Sequence, residues 1–242
     1  AHMAPKVATA QHVADQPVLT VRELDILTPK ADEVLALRVN FEVKPKNPVI
    51  ITGPNASGKS LLASHLTGLR APSTTNASVS FCGSSVFHVR PYLQDLLLIP
   101  QKPYLSPGGL GDQVSYPLEG REQATEKLQQ ALDTVGIGYL VERHGGLFTI
   151  PDNHWDEILS GGEQQRIGIA RCLFHQPRMT VLDECTSMVS QETEVQLYQA
   201  ISAAGSVPIT ISQRLTLPEL HSHELQLGCD TLEGWSLHPC KG

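Results

Sequence analysis

The sequence predicts an α/β fold in which a mostly parallel sheet carries helices on its faces. Two observations support this. In the second half of the chain, Met179 to Leu182 reads as a buried strand, Glu192 to Ala203 as a helix and Val207 to Ile211 as another strand, the alternation that builds a parallel sheet. Earlier, Pro48-Val49-Ile50-Ile51-Thr52 is apolar on both faces, as a strand inside such a sheet must be, and it runs straight into a glycine-rich segment and a helical stretch. The 242 residues suffice for one large domain or two small lobes around a sizeable core.

Taken in order, Ala1-His2-Met3 reads as a cloning remnant, and residues 4–17, small, polar and aperiodic, as a flexible lead-in to a domain over 18–242. Val18 to Leu27 and Val34 to Val43 alternate loosely as strands around a turn at residues 28–32, which predicts a small antiparallel β region at the N-terminus. A helix is expected from Leu61 to Leu69. Leu96-Leu97-Leu98-Ile99 is a strand-sized apolar run. The middle is helix-rich: Glu122 to Val135 sets Leu128, Leu132 and Val135 on one face, and a second helix begins beside Gly162 and runs through Ile167, Ile169, Ala170 and Leu173 until Pro177 stops it.

Composition excludes several function classes. Forty per cent apolar and 18% charged residues describe a globular protein, and a net charge of −7 lacks the basic excess that nucleic-acid binding needs, so no nucleic-acid partner is expected. No apolar run approaches the roughly 18 to 20 residues that span a bilayer. Five cysteines at irregular spacing, without a CxxC pair, argue against a disulfide framework and fit a reducing compartment. His221, His223, Cys229, His238 and Cys240 match no zinc spacing, and the histidines of the strand-like His221 to Leu227 are expected at the surface.

The motifs carry the chemistry. Gly53-Pro54-Asn55-Ala56-Ser57-Gly58-Lys59-Ser60 matches G-x-x-x-x-G-K-[ST], placed between a strand and a helix. Its backbone N–H groups would close around a β-phosphate, Lys59 would neutralise β/γ oxygens and the Ser60 hydroxyl would ligate Mg²⁺. Ala56 stands where many such loops carry glycine, which requires a negative φ there. The strand ending Leu182-Asp183-Glu184, with Asp183 lying 124 residues after Lys59, would deliver Asp183 to the metal side of the phosphates and Glu184 to the attacking water. Between them, Ser160, Gly161, Gly162 and Glu163 open a helix, a place where uncapped N–H groups and the helix dipole attract an anion. The same four residues also read as an ordinary serine cap with an acidic first turn.

The glycine-rich loop, Leu159-Ser160-Gly161-Gly162-Glu163-Gln164-Gln165-Arg166 and Leu182-Asp183-Glu184, in this order, resemble the nucleotide-binding domain of ATP-binding cassette (ABC) proteins over about residues 18–238. The resemblance implies a P-loop ABC ATPase fold with a helical lobe inserted after Gln101, over about residues 102–176, of which Lys102 to Ile158 would meet a transporter's coupling helices. It implies ATP and Mg²⁺ as ligands and two domains paired head to tail. Each ATP then lies between one chain's Gly53–Ser60 loop and the other chain's Ser160, Gly161, Gly162 and Glu163. Gln101 would be the residue joining Mg²⁺ to the transmembrane partner. Trp155 to Ser160, Gln113 to Pro117, Gly145-Gly146, and Leu182 to Ser190 with its internal Cys185 are similar to the D subfamily. That likeness implies a half-transporter for very-long-chain fatty acids or their CoA esters, with this domain on the cytosolic face of the peroxisomal membrane.

Two positions depart from the family pattern. Ser212-Gln213-Arg214 places Gln213 where the switch histidine stands, so the position has no titratable nitrogen. A slow ATPase, a substitution made to hold ATP, and a natural degenerate half with a competent partner all fit this residue. The adenine-stacking aromatic expected some 25 residues before the loop is replaced by Asp25-Ile26-Leu27-Thr28-Pro29, leaving Leu27, Ile26 or an aromatic from elsewhere to meet the base. Rival readings are a soluble ABC ATPase unrelated to transport and a silent regulatory half. Only 99 residues separate Ser60 from Leu159, too few for the coiled coils of chromosome-maintenance types.

Overall fold

The computed structural model describes residues 16, 18–30, 33–87, 95–118, 124–214 and 217–240, so nearly all of the expected lead-in lies outside the described residues. A four-stranded antiparallel sheet combines β1 (Leu19–Leu27), β2 (Val34–Val43), β4 (Ser78–Phe81) and β5 (Ser84–Ser85) in the order β2-β1-β4-β5. The loose alternation of its first two strands has a physical cause. Their register shifts between Val21 and Leu27, and Glu23 and Arg38 each take a left-handed φ of 49° opposite these bulges.

A six-stranded sheet has the order β10-β9-β3-β8-β7-β6. Its parallel body is β9 (His223–Leu227), β3 (Val49–Thr52), β8 (Val207–Ile211), β7 (Met179–Asp183) and β6 (Leu96–Ile99), and β10 (Trp235–Pro239) closes one edge antiparallel. The expectation of a mostly parallel sheet holds. In β3, β7 and β8 nearly every residue is buried, as strands covered on both faces require.

Helix α1 (Lys59–Leu66) starts and ends earlier than the expected Leu61 to Leu69, because it begins directly at the loop lysine and unwinds at Thr67 and the left-handed Gly68, φ 72°. Between β6 and β7 come α2 (Leu110–Ser115), α3 (Thr125–Thr134), α4 (Tyr139–Arg143), α5 (Trp155–Ile158) and α6 (Gly161–His175). Leu128, Leu132 and Val135 are buried as their spacing predicted, while the expected onset of α3 at Glu122 falls outside the described residues. Helix α7 (Gln191–Ala203) precedes β8.

Two apolar clusters flank the parallel sheet. One joins its Val49, Ile51, Val181 and Ile209 to α1 and the antiparallel sheet, and the other joins Ile50, Ile99 and Leu182 to α2, α3, α6 and α7. Helix α6 is buried over most of its surface, which suits a helix at the centre of the second cluster. Its Arg171, 7% exposed, donates to the backbone oxygens of Gln113 and Tyr104 at 2.5 Å each and ties α2 and the segment after Gln101 to α6. Burial draws the Arg171 pKa down to about 10, leaving it charged at neutral pH.

Candidate functional site

Four adjacent parallel strands deliver the site from their C-terminal ends. β3 runs into Gly53–Ser60, β6 into Gln101, β7 ends at Asp183 and Glu184, and β8 leads to Gln213. A crevice at the carboxyl edge of a parallel sheet is where such folds bind ligands. A cavity of about 400 Å³ opens there, lined by Asn55, Ala56, Gly58, Lys59, Ser60, Leu61, Gln101, Asp183 and Glu184, with Thr28, Pro29 and Leu35 at its apolar end.

The loop is held by its own contacts. Gly53 takes φ 137°, and a Cβ there would stand 2.2 Å from the Leu227 oxygen, so only glycine fits. The Lys59 ammonium donates to the backbone oxygens of Gly53 (2.9 Å) and Pro54 (2.8 Å), bracing the loop from inside. Burial lowers the pKa of Lys59 against the opposing pull of Glu184 and Asp183. An entering phosphate would compensate that desolvation. Ala56 corrects the sequence expectation: its φ is +64°, not negative.

Opposite the loop, the Ser60 hydroxyl donates to Asp183 Oδ1 at 3.2 Å, and Gln101 Nε2 donates to Glu184 Oε2 at 3.4 Å. Burial raises the Asp183 pKa and the neighbouring Glu184 adds to it, while Ser60 and Lys59 pull it back. Hard oxygen donors of this kind suit Mg²⁺. Glu184 has a left-handed φ of 48°, and its N–H donates to Ile211 O at 3.0 Å, which turns the chain sharply after β7. Gln213 reaches the loop: its Nε2 donates to Asn55 Oδ1 at 2.8 Å. At the apolar end, Thr28, Pro29 and Leu35 line the cavity instead of Leu27 or Ile26, and Ile26 is fully buried in the core.

Ser160, Gly161, Gly162 and Glu163 do not line this cavity. Ser160 caps α6 in a capping box, its Oγ and N–H both donating to Glu163 Oε2 at 2.6 and 2.7 Å. Burial opposes ionisation of Glu163, but Ser160, the Tyr139 hydroxyl at 2.7 Å and Arg143 together outweigh it and hold the carboxyl below its usual range. Met188, 64% exposed, lies over this helix start, so close that a Cβ on Gly161 would stand 2.1 Å from its sulfur.

The roles of two residues escaped the sequence reading. Gln165 is buried and bonds to Gln101, Glu184, Ser187 and Met188. Arg214 donates to the Ser187 and Val189 oxygens and to Glu194, which is fully buried. Gln165 was visible inside the quoted octapeptide, but nothing in one sequence separates it from its neighbour Gln164. His221 also differs from expectation. It is buried, with Nδ1 at 2.7 Å from Leu217 O and Nε2 at 2.8 Å from Thr210 Oγ1, because it precedes β9 and faces inward.

Comparison with known proteins agrees with this geometry. Residues 37–187 match the ABC transporter family. The chain is 36% identical over 221 residues to ATP-binding cassette sub-family D member 3 of Homo sapiens, covering 89% of this chain and 31% of that protein. It is 33% identical to an uncharacterised ABC transporter ATP-binding protein of Synechocystis, covering 91% of this chain and 31% of the relative. The chain thus spans about a third of the length of these relatives. A solved structure of a bacterial Atm1-family ABC exporter with ATP bound superposes with a TM-score of 0.76 at 26% identity, covering 88% of this chain and 38% of that one. With loop, acidic strand end and helix start arranged on that fold, the chain belongs to the ABC transporter family, as an ATP-binding domain similar to those of sub-family D.

Proposed function

We propose that this domain binds and hydrolyses ATP as the motor of an ABC half-transporter, paired head to tail with a second such domain. The observation that carries this is the convergence of Lys59, Ser60, Gln101, Asp183, Glu184 and Gln213 at the ends of four neighbouring strands. Lys59 and the loop N–H groups hold the β- and γ-phosphates. Ser60, Asp183 and Gln101 would hold Mg²⁺, which neutralises phosphate charge when bound. Glu184 orients the water that attacks the γ-phosphorus as the bond to the β-phosphate oxygen breaks, and ADP and phosphate leave. Ser160, Gly161, Gly162 and Glu163 stand outside this chain's own cavity, which supports their serving the γ-phosphate of a partner chain. The stretch from Lys102 to Ile158 would meet the transmembrane domain. The sub-family D pattern supports fatty acids or acyl-CoA as cargo and the cytosolic face of the peroxisomal membrane as location.

Gln213 points to a weak motor. Its amide is already engaged with Asn55 and lacks the charge-assisted hydrogen bond of an imidazolium, roughly twice as strong as a neutral one. Calorimetry with Mg-ATP and phosphate release at protein concentrations favouring the dimer test both readings. Lys59→Ala should weaken Mg-ATP binding at least about tenfold, or 1.4 kcal/mol. Gln213→His should raise kcat about tenfold to thousandfold with KM little changed. Unchanged affinity in the first variant contradicts the site. An unchanged rate in the second, with measurable turnover in the unaltered chain, shows that Gln213 is not the switch residue.

A further inference from the structure

Gln165 lies one turn into α6, 2% exposed, and every polar atom of its carboxamide is used. Nε2 donates to Ser187 Oγ at 2.9 Å and, more weakly, to the backbone oxygens of Gln101 at 3.3 Å and Glu184 at 3.4 Å. Oε1 accepts the Met188 N–H at 2.8 Å. The partners come from three separate segments: the end of β6, the end of β7 and the turn that leads to α7. An apolar side chain would fill the same space, yet it would strand the Met188 N–H and leave the two backbone oxygens without their link to α6. No other side chain among the described residues is hydrogen-bonded to the backbone at both Gln101 and Glu184.

We propose that Gln165 is a positioning residue for ATP hydrolysis, one buried amide that fixes the backbone at Glu184 and Gln101 against the start of α6. The proposal rests on the ATPase reading above. Through these bonds the Glu184 carboxylate and the Gln101 carboxamide keep their 3.4 Å approach inside the cavity. Through Ser187 and Met188 the same amide holds the turn whose Met188 covers Gly161. A displacement of α6 by a partner's phosphate is thereby passed to the water-orienting carboxylate, where errors of about 1 Å cost about a hundredfold in rate. Gln165 makes no hydrogen bond to Lys59, Ser60 or Asp183 and meets Gln101 only at its backbone oxygen, so hydrolysis should suffer far more than binding.

The test is kcat per ATP-binding site, with KM and Mg-ATP affinity measured on the same preparations, for Gln165→Met, Gln165→Glu and Ser187→Ala. Gln165→Met, similar in length and volume, should lower kcat about tenfold to a hundredfold while KM and affinity stay within about twofold. A residue that only stabilises the fold would lower the number of binding sites and the melting temperature, leaving kcat per site unchanged. Gln165→Glu keeps the acceptor for the Met188 N–H, and its carboxyl regains a donor when protonated. Its activity relative to the unaltered chain should therefore rise as pH falls, a trend Gln165→Met should lack. Ser187→Ala should lower kcat several-fold at constant KM, and with Gln165→Glu it carries the test if Gln165→Met does not fold. Any folded Gln165 variant with kcat per site within twofold of the unaltered chain and no pH trend overturns the proposal. An unaltered chain that binds Mg-ATP without hydrolysing it, alone or dimerised, overturns the ATPase reading instead.

Discussion

Ala56 holds a left-handed backbone conformation in the middle of the phosphate loop, at a cost of roughly 1–2 kcal/mol for a side chain with a Cβ. The strain persists because the residues before it are fixed, Gly53 by its approach to Leu227 and the Gly53 and Pro54 carbonyls by Lys59. Ala56→Gly relieves it, offset in part by the added freedom of glycine in the unfolded chain. The net gain should be about 0.5–1 kcal/mol, read as a higher urea midpoint at unchanged slope; a lower midpoint would show that the loop is not strained. At this scale the motif residues were legible because phosphate chemistry restricts residue type and order. The conformation of Ala56 was not, since φ follows from the surrounding contacts and leaves no mark on composition. Leu35 was likewise hidden, since it joins Thr28 and Pro29 at the cavity only once β1 and β2 are folded together.

Among the elements, the short connection between β7 and α7 is held from two sides. Ser187 to Val189 is gripped from one side by Gln165 and from the other by Arg214, whose guanidinium donates to Ser187 O at 2.8 Å and Val189 O at 3.0 Å. The same guanidinium meets Glu194 of α7 at 3.2 Å, and Glu194 also accepts from the Thr186 hydroxyl. Because Glu194 is fully buried, removing its cation leaves a charge without compensation, a loss that costs several kcal/mol in proteins. With Thr186 still donating, Arg214→Met should cost about 2–4 kcal/mol in urea unfolding. A loss below about 0.5 kcal/mol would mean that the carboxylate finds water or another donor. Strands and helices were legible through periodicity and through stops such as Pro177. The first two strands kept their limits but not their alternation, because bulges break period two. The Arg214 clamp was illegible, as it joins residues 20 to 27 positions apart that no local pattern connects.

For the whole molecule, the sheet order places four strand ends side by side, and sequence alone shows the strands but not their neighbours. The family pattern named the motif residues, Gln101 and Gln213 among them, but it gave no strand order. Ser160 stands outside the cavity lining, and its hydroxyl donates to Glu163. On the proposed reading, ATP completes the site by joining two chains. Sedimentation of Glu184→Gln with and without Mg-ATP tests this pairing, with Ser160→Arg as the second arm. The expected result is a monomer without nucleotide, a shift to a dimer with ATP, and loss of that shift in the Ser160→Arg, Glu184→Gln double variant with ATP affinity retained. A double variant that dimerises normally on ATP, or a Glu184→Gln chain that binds ATP and remains a monomer at every concentration tested, would contradict it.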